Sequence, residues 1–164
     1  MKKLIILRGN SGSGKTTVAK ELQKRFGNNT MLISQDVIRR DILKVKDGEN
    51  TLAIPLMKEL LIYRNTHSAI VILEGIMYAD WYRPLFELAV QLYGANVYAY
   101  YFDIPFEETL RRHQTKPNCG SFGEKDMRRW WRGKDLSDVL NEVSITDEKD
   151  LESIVTDIYD AILN

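Results

Sequence analysis

Between residues 9 and 16 the chain reads Gly9-Asn10-Ser11-Gly12-Ser13-Gly14-Lys15-Thr16, and Thr17 follows. The stretch meets the pattern G-x-x-x-x-G-K-[ST] at every specified position. Each residue type has a physical task. Glycines let successive backbone N–H groups turn inward around a phosphate, and the helix that follows adds the partial positive charge of its N-terminus. The lysine reaches the β- and γ-phosphates, and the Thr16 hydroxyl is placed to ligate Mg²⁺. At average glycine usage of about 7%, the pattern arises by chance on the order of once in a few hundred chains of this length. It also lies between an apolar run, Leu4-Ile5-Ile6-Leu7, and a helical stripe of Val18, Leu22 and Phe26 that stops at Gly27. That context excludes chance, and a dinucleotide fingerprint fails because Thr17 stands where its third glycine belongs.

Working outward, strand and helix signals alternate. Met31-Leu32-Ile33, residues 69–73, residues 97–102 and residues 143–146 read as four more strands, the last of them weak. Helices are expected over residues 37–45, over 51–65 with Pro55 in the first turn, and after Pro105 as far as about Arg112. A further helix carries Trp81, Leu85, Leu88 and Leu92 on one stripe, and a last one carries Leu151, Ile154, Val155, Ile158 and Ile162. Such alternation implies a parallel sheet with helices on both faces, with ligands bound beyond the carboxyl ends of the strands.

The bulk numbers fit one globular domain over residues 1–164, with 44% hydrophobic and 28% charged residues. Formal net charge is zero, so no overall field favours nucleic acid or an anionic membrane. One cysteine, Cys119, excludes an internal disulfide framework and fits a reducing compartment. The apolar run after Lys2 and Lys3 is too short for a signal peptide core or a membrane span, so a cytoplasmic protein is expected.

Three further groups bear on chemistry. Asp36 follows the second strand, where a carboxylate can take the proton of an acceptor hydroxyl; Arg39, three residues on, shares its helical face and can hold an anionic or polar part of the acceptor. The plainer alternative makes Asp36 a helix N-cap. Glu74 closes the third strand, either as part of a Mg²⁺ site and acceptor contact or as an ordinary charge at a strand end. Residues 115–134 lack clean periodicity at their start and are crowded with cations, the composition of a lid that closes on phosphate. Arg112 and one or two of Arg128, Arg129 and Arg132 are expected to reach phosphate. The rest form a solvated face, and Trp130-Trp131 reads as a packed hinge.

The cradle through Thr17, Asp36 with Arg39, Ile72-Leu73-Glu74-Gly75, and Phe102-Asp103-Ile104-Pro105 leading to Arg111-Arg112 resemble the small P-loop kinases. The branch they resemble holds chloramphenicol phosphotransferase, zeta-toxin-like kinases and the phage polynucleotide kinase. The resemblance implies a three-layer α/β/α fold with a five-stranded parallel sheet ordered 2-3-1-4-5, and an Arg-rich lid over residues 115–134. It implies an ATP- and Mg²⁺-dependent kinase whose partner is a small molecule bearing a hydroxyl. Asp36 would be the base, with Lys15 and Arg128 beside it in catalysis. The residues of the cradle from Gly9 to Thr17, with Arg112, would hold ATP, and Thr16 and Glu74 the metal. The acceptor would lie among Asp36, Arg39, Glu74, Tyr78 and Arg83, and the loop holding Asp147 and Glu148 would approach adenine. Two alternatives remain: a polynucleotide 5′-hydroxyl kinase, disfavoured by the absence of a basic track, and a nucleotide-dependent switch without an acceptor.

Overall fold

Leu4 to Leu7 are wholly buried, which requires cover on both faces of their strand. The computed structural model describes residues 2–67, 70–117 and 119–164. In it β1 (Lys3–Gly9) is the centre of the sheet and pairs in parallel with β3 (Ile70–Gly75) and β4 (Val97–Phe102). Outside these lie β2 (Met31–Ser34) and β5 (Glu142–Ile145), giving the order β2-β3-β1-β4-β5 with every neighbouring pair parallel. The pleat then sorts the run: Leu4 and Ile6 enter one core with Val71 and Leu73, whereas Ile5 and Leu7 enter the other with Ile72 and Phe102.

Helix α1 (Lys15–Phe26) and the terminal helix α7 (Leu151–Leu163) cover the second face. On the first face lie α3 (Ala53–Asn65) and α4 (Arg83–Tyr93). No helix among the described residues is long and apolar enough to cross a membrane.

Two local expectations are corrected. The helix expected over residues 37–45 begins earlier, as α2 (Gln35–Val37), and continues as π-helical turns (Ile38–Leu43). Such widening, uncommon outside functional segments, turns successive side chains by less than an α-helix does. The stripe Trp81, Leu85, Leu88 and Leu92 is misplaced. Helix α4 starts only at Arg83, and its buried face is Leu85, Phe86, Ala89 and Tyr93, with Tyr82 buried ahead of it. Leucines were weighted there over the bulkier aromatics and the small Ala89 that fit against the sheet. Ala69, the expected start of the third strand, lies outside the described residues. The segment 115–134 follows α5 (Phe106–Gln114) and holds a short helix, α6 (Glu124–Trp130), in its second half.

Candidate active site

The glycine-rich loop joins β1 to α1, and it needs its glycines for two reasons. Gly12 and Gly14 have φ of +78° and +99°, a left-handed backbone that other residues rarely adopt. A Cβ on Gly12 would also lie 2.5 Å from the Thr109 carbonyl oxygen, so α5 packs directly on the loop. The adjoining Lys15 is buried, and its Nζ donates to the Asn10 carbonyl at 2.7 Å and to Ser13 Oγ at 3.2 Å. The ammonium is thus held by groups of the loop itself. Burial pushes its pKa down from 10.5 to about 8, against the opposing pull of Glu74.

That shift has a measurable consequence. Phosphate oxygens bound beside Lys15 would favour its charged form, so above about pH 8 nucleotide binding would take up a proton. Below pH 8 this group contributes no pH dependence, because it is already protonated. We expect the Kd for ATP to rise by up to about tenfold per pH unit above pH 8. Titration of ATP from pH 7 to pH 9.5 checks this, and a flat profile would refute it.

At the carboxyl end of β3, Glu74 is 2% exposed. Thr16 Oγ1 donates to Glu74 Oε2 at 3.2 Å, and Ser34 Oγ donates to Oε1 at 2.6 Å. A hydroxyl of the phosphate loop and a buried carboxylate are therefore side by side. Hard oxygen donors in this number suit Mg²⁺, which keeps much of its water and takes its other ligands from phosphates. No cluster of three or more His, Cys, Asp or Glu side chains suited to a metal occurs among the described residues. Ser34 was not anticipated, although a hydroxyl closing a strand beside an acidic strand end is a legible signal.

Asp36 does not cap its helix. Ser34 occupies the N-cap, and the Asp36 carboxylate stands in the first turn, where the helix dipole favours it. Its Oδ1 lies 3.0 Å from both Arg39 Nη2 and Arg40 Nε. Asp36, Arg39, Glu74, Tyr78, Lys15, Thr16 and Thr17 all border one cavity of about 960 Å³.

The structure does not bring every expected residue there. Arg128 points away: it is 62% exposed, pairs with Glu124 at 2.7 Å and stacks 4.4 Å from the Phe106 ring. The next residue around α6, Arg129, borders the cavity instead, with Arg132 and Lys116. Lys116 has its pKa lowered by burial, with Glu74 and Asp36 pulling the other way, so it stands near both carboxylates. Arg112 lies outside the cavity but against the loop, with Nη1 donating to the Ser13 carbonyl at 2.9 Å and Nε to Glu108 at 2.9 Å. Gly9 is packed beneath the loop on Phe102. Asn10 faces the lid, where its side chain accepts from the Arg132 N–H at 3.0 Å and donates to the Arg132 carbonyl at 2.7 Å. Arg83 is tied to Glu87 and Asp138 outside the cavity.

This loop, sheet order and cavity define an α/β protein of the P-loop kinase fold. Residues 4–136 match the AAA_33 family of AAA domains, and the chain belongs to that family. No curated protein matches the chain. Among solved structures it is similar to a gluconokinase from Sinorhizobium meliloti 1021, with TM-score 0.67 and 17% identity over 98% of this chain and 91% of that one. It is also similar to the APS kinase of Mycobacterium tuberculosis in complex with AMPPNP and APS (TM-score 0.65, 17% identity, 99% and 98% covered). A shikimate kinase from Acinetobacter baumannii in complex with shikimate gives TM-score 0.61 at 17% identity, with 98% and 93% covered.

Proposed function

We propose that the protein is an ATP-dependent kinase that transfers the γ-phosphoryl group to a hydroxyl of a small molecule. One observation carries this reading: Asp36 and Glu74, from the ends of β2 and β3, border the same cavity as Lys15 and Thr16. Support also comes from the similar structures, a gluconokinase, an APS kinase and a shikimate kinase.

In this reading the acceptor hydroxyl oxygen bonds to the γ-phosphorus as the bond to the β-phosphate oxygen breaks, and ADP leaves. The hydroxyl proton passes to the Asp36 carboxylate, which Arg39 and Arg40 hold in place. Lys15 and the loop N–H groups neutralise charge on the phosphates, and Lys116 and Arg129 add lid cations while excluding water. Thr16 and Glu74 would hold Mg²⁺, which supplies charge neutralisation on the phosphates when bound. Arg112, expected among the residues that hold ATP, steadies the phosphate loop through the Ser13 carbonyl. A cytoplasmic setting belongs to the same reading, supported by the single cysteine.

Transfer from γ-labelled ATP to a panel of sugars, sugar acids, nucleosides, phenicol and aminoglycoside antibiotics, and 5′-hydroxyl oligonucleotides tests this. Lys15→Ala serves as the control that removes phosphate binding. A labelled small-molecule product, absent with Lys15→Ala, is the expected result. Label in the oligonucleotide alone would favour an end-processing kinase. Tight ATP binding without transfer to any acceptor would replace the kinase reading with a nucleotide switch.

A further inference from the structure

Asp47 borders the cavity, yet it takes no part in the steps above. It stands in the stretch between the π-helical turns and α3, and that stretch is tied down at several points. Buried Thr51 donates its hydroxyl to the Lys46 carbonyl at 2.9 Å and its N–H to the Gly48 carbonyl at 3.2 Å. The Asp47 carboxylate is itself held through one oxygen only. Its Oδ1 accepts from the Gly48 N–H at 3.0 Å and from the Tyr82 hydroxyl at 2.6 Å.

The tyrosine is fixed in turn. Tyr82 is wholly buried ahead of α4, and its hydroxyl accepts from Gln35 Nε2 at 2.8 Å. Gln35 can approach because residue 75 is glycine: a Cβ there would lie 2.7 Å from Gln35 Cβ. Burial, and then the bond to Asp47, hold the Tyr82 hydroxyl protonated well above the usual tyrosine range. Gln35 and Tyr82 therefore donate in one direction, toward the carboxylate, and the line begins one residue before Asp36.

Oδ2 of Asp47 is left over. It makes no hydrogen bond or ion pair among the described residues, and it is open to solvent rather than sealed. A tether needs one oxygen, which an asparagine supplies as well. A second, free carboxylate oxygen at a cavity wall is instead an acceptor for a ligand's donor. Asp47 also stands apart from the phosphate end of the cavity. The carboxylates that oppose the effect of burial on Lys15 and Lys116 are Glu74 and Asp36, whereas Asp47 adds to the effect of burial on Tyr78 and Tyr82. Nor does the cavity suit a cationic donor. Among the described residues eight lysine and arginine side chains border it against three carboxylates, a field that repels an ammonium. A neutral hydroxyl meets both conditions.

Resting on the kinase reading above, we propose that the acceptor carries a second hydroxyl, besides the one that receives the phosphoryl group, and that this hydroxyl donates to Asp47 Oδ2. Tyr82 and Gln35 are positioning residues that aim the carboxylate. A hydrogen bond to a charged oxygen, held in a fixed place, selects polyols over alcohols with one hydroxyl.

The test is equilibrium binding to the full chain loaded with Mg²⁺ and a non-hydrolysable ATP analogue. The probes are ribose, glucose and uridine, each beside its set of single-deoxy analogues. At least one of the three is expected to bind roughly tenfold to a hundredfold more tightly than one of its deoxy analogues. Asp47→Asn keeps an oxygen for Gly48 and Tyr82 but replaces the free oxygen with an amide donor. It should shrink the difference to within about threefold, with melting temperature and ATP affinity little changed. Tyr82→Phe removes one tether and keeps the carboxylate, so it should lower the difference only in part, again without loss of ATP affinity. Equal affinity across every set overturns the inference, as does a difference that survives Asp47→Asn in full. Selective binding that Asp47→Asn removes, without transfer of label from ATP, defeats the kinase reading and leaves the Asp47 subsite standing.

Discussion

Asp36→Asn is expected to lower the rate of phosphoryl transfer by roughly two to four orders of magnitude while leaving ATP binding intact. Asparagine preserves the shape and one hydrogen-bonding oxygen but cannot accept the proton of the attacking hydroxyl. The loss should fall on kcat, because the phosphate loop makes no hydrogen bond to Asp36, whose carboxylate instead faces Arg39 and Arg40. Both ion pairs lie at a side chain that is 55% exposed, so losing them costs about 1 kcal/mol of stability at most. A small change in melting temperature with a large change in kcat is therefore the signature. Single-turnover transfer measured alongside binding of a fluorescent ATP analogue separates the two. Wild-type transfer in this variant would remove Asp36 from the chemistry.

The largest effect on folding should come from Arg8→Met, at about 3–5 kcal/mol. Arg8 is wholly buried in the penultimate position of β1. Its Nη1 donates to Glu142 at 2.7 Å, its Nη2 to the Asp135 carbonyl at 2.8 Å and carboxylate at 3.1 Å, and its Nε to the Met77 carbonyl at 3.0 Å. The guanidinium lies over the rings of Phe86 and Tyr101. Methionine fills similar space but strands the Glu142 carboxylate, which is 2% exposed, without its cation. For a chain of this size the loss corresponds to a fall in Tm on the order of 10 °C. Arg8→Met combined with Glu142→Gln should recover part of it, since the stranded charge goes too. A fall of less than about 2 °C would mean that desolvation of the ions already offsets their attraction.

Arg8 also shows how the lid is mounted. The Asp135 backbone is held by Arg8 and Tyr101, Arg132 by Asn10, and the Trp130 carbonyl accepts from the Tyr78 hydroxyl. The exit of the segment 115–134 is thus fastened to the ends of β1 and β4 and to the loop after β3. Arg132 and Trp130 form a wall of the cavity as much as a cover for it.

Much of this protein follows from local patterns. The phosphate loop is legible because its function needs particular residues at fixed spacing, and backbone geometry makes glycine irreplaceable at positions such as Gly12. The five strands and their parallel pairing follow from short apolar runs alternating with helical stripes, whereas their order was implied only by the resemblance to the small P-loop kinases. Asp36 and Glu74 are legible because one follows and the other closes a strand that must end beside the loop. Side-chain direction depended instead on contacts between distant segments. Arg128 and Arg129 are neighbours in sequence, yet only packing of α6 on Phe106 decided that the second faces the cavity. Arg8 reads as a stray charge after an apolar run until β5 and the lid exit supply Glu142 and Asp135, more than a hundred residues away. Composition gave a net charge of zero, and only folding gathered eight cations around one cavity. The sequence by itself determined the glycine-rich loop and the strands that flank it, because those depend on local geometry and period. The tertiary structure alone decided which charges converge, because charge placement depends on which distant surfaces meet.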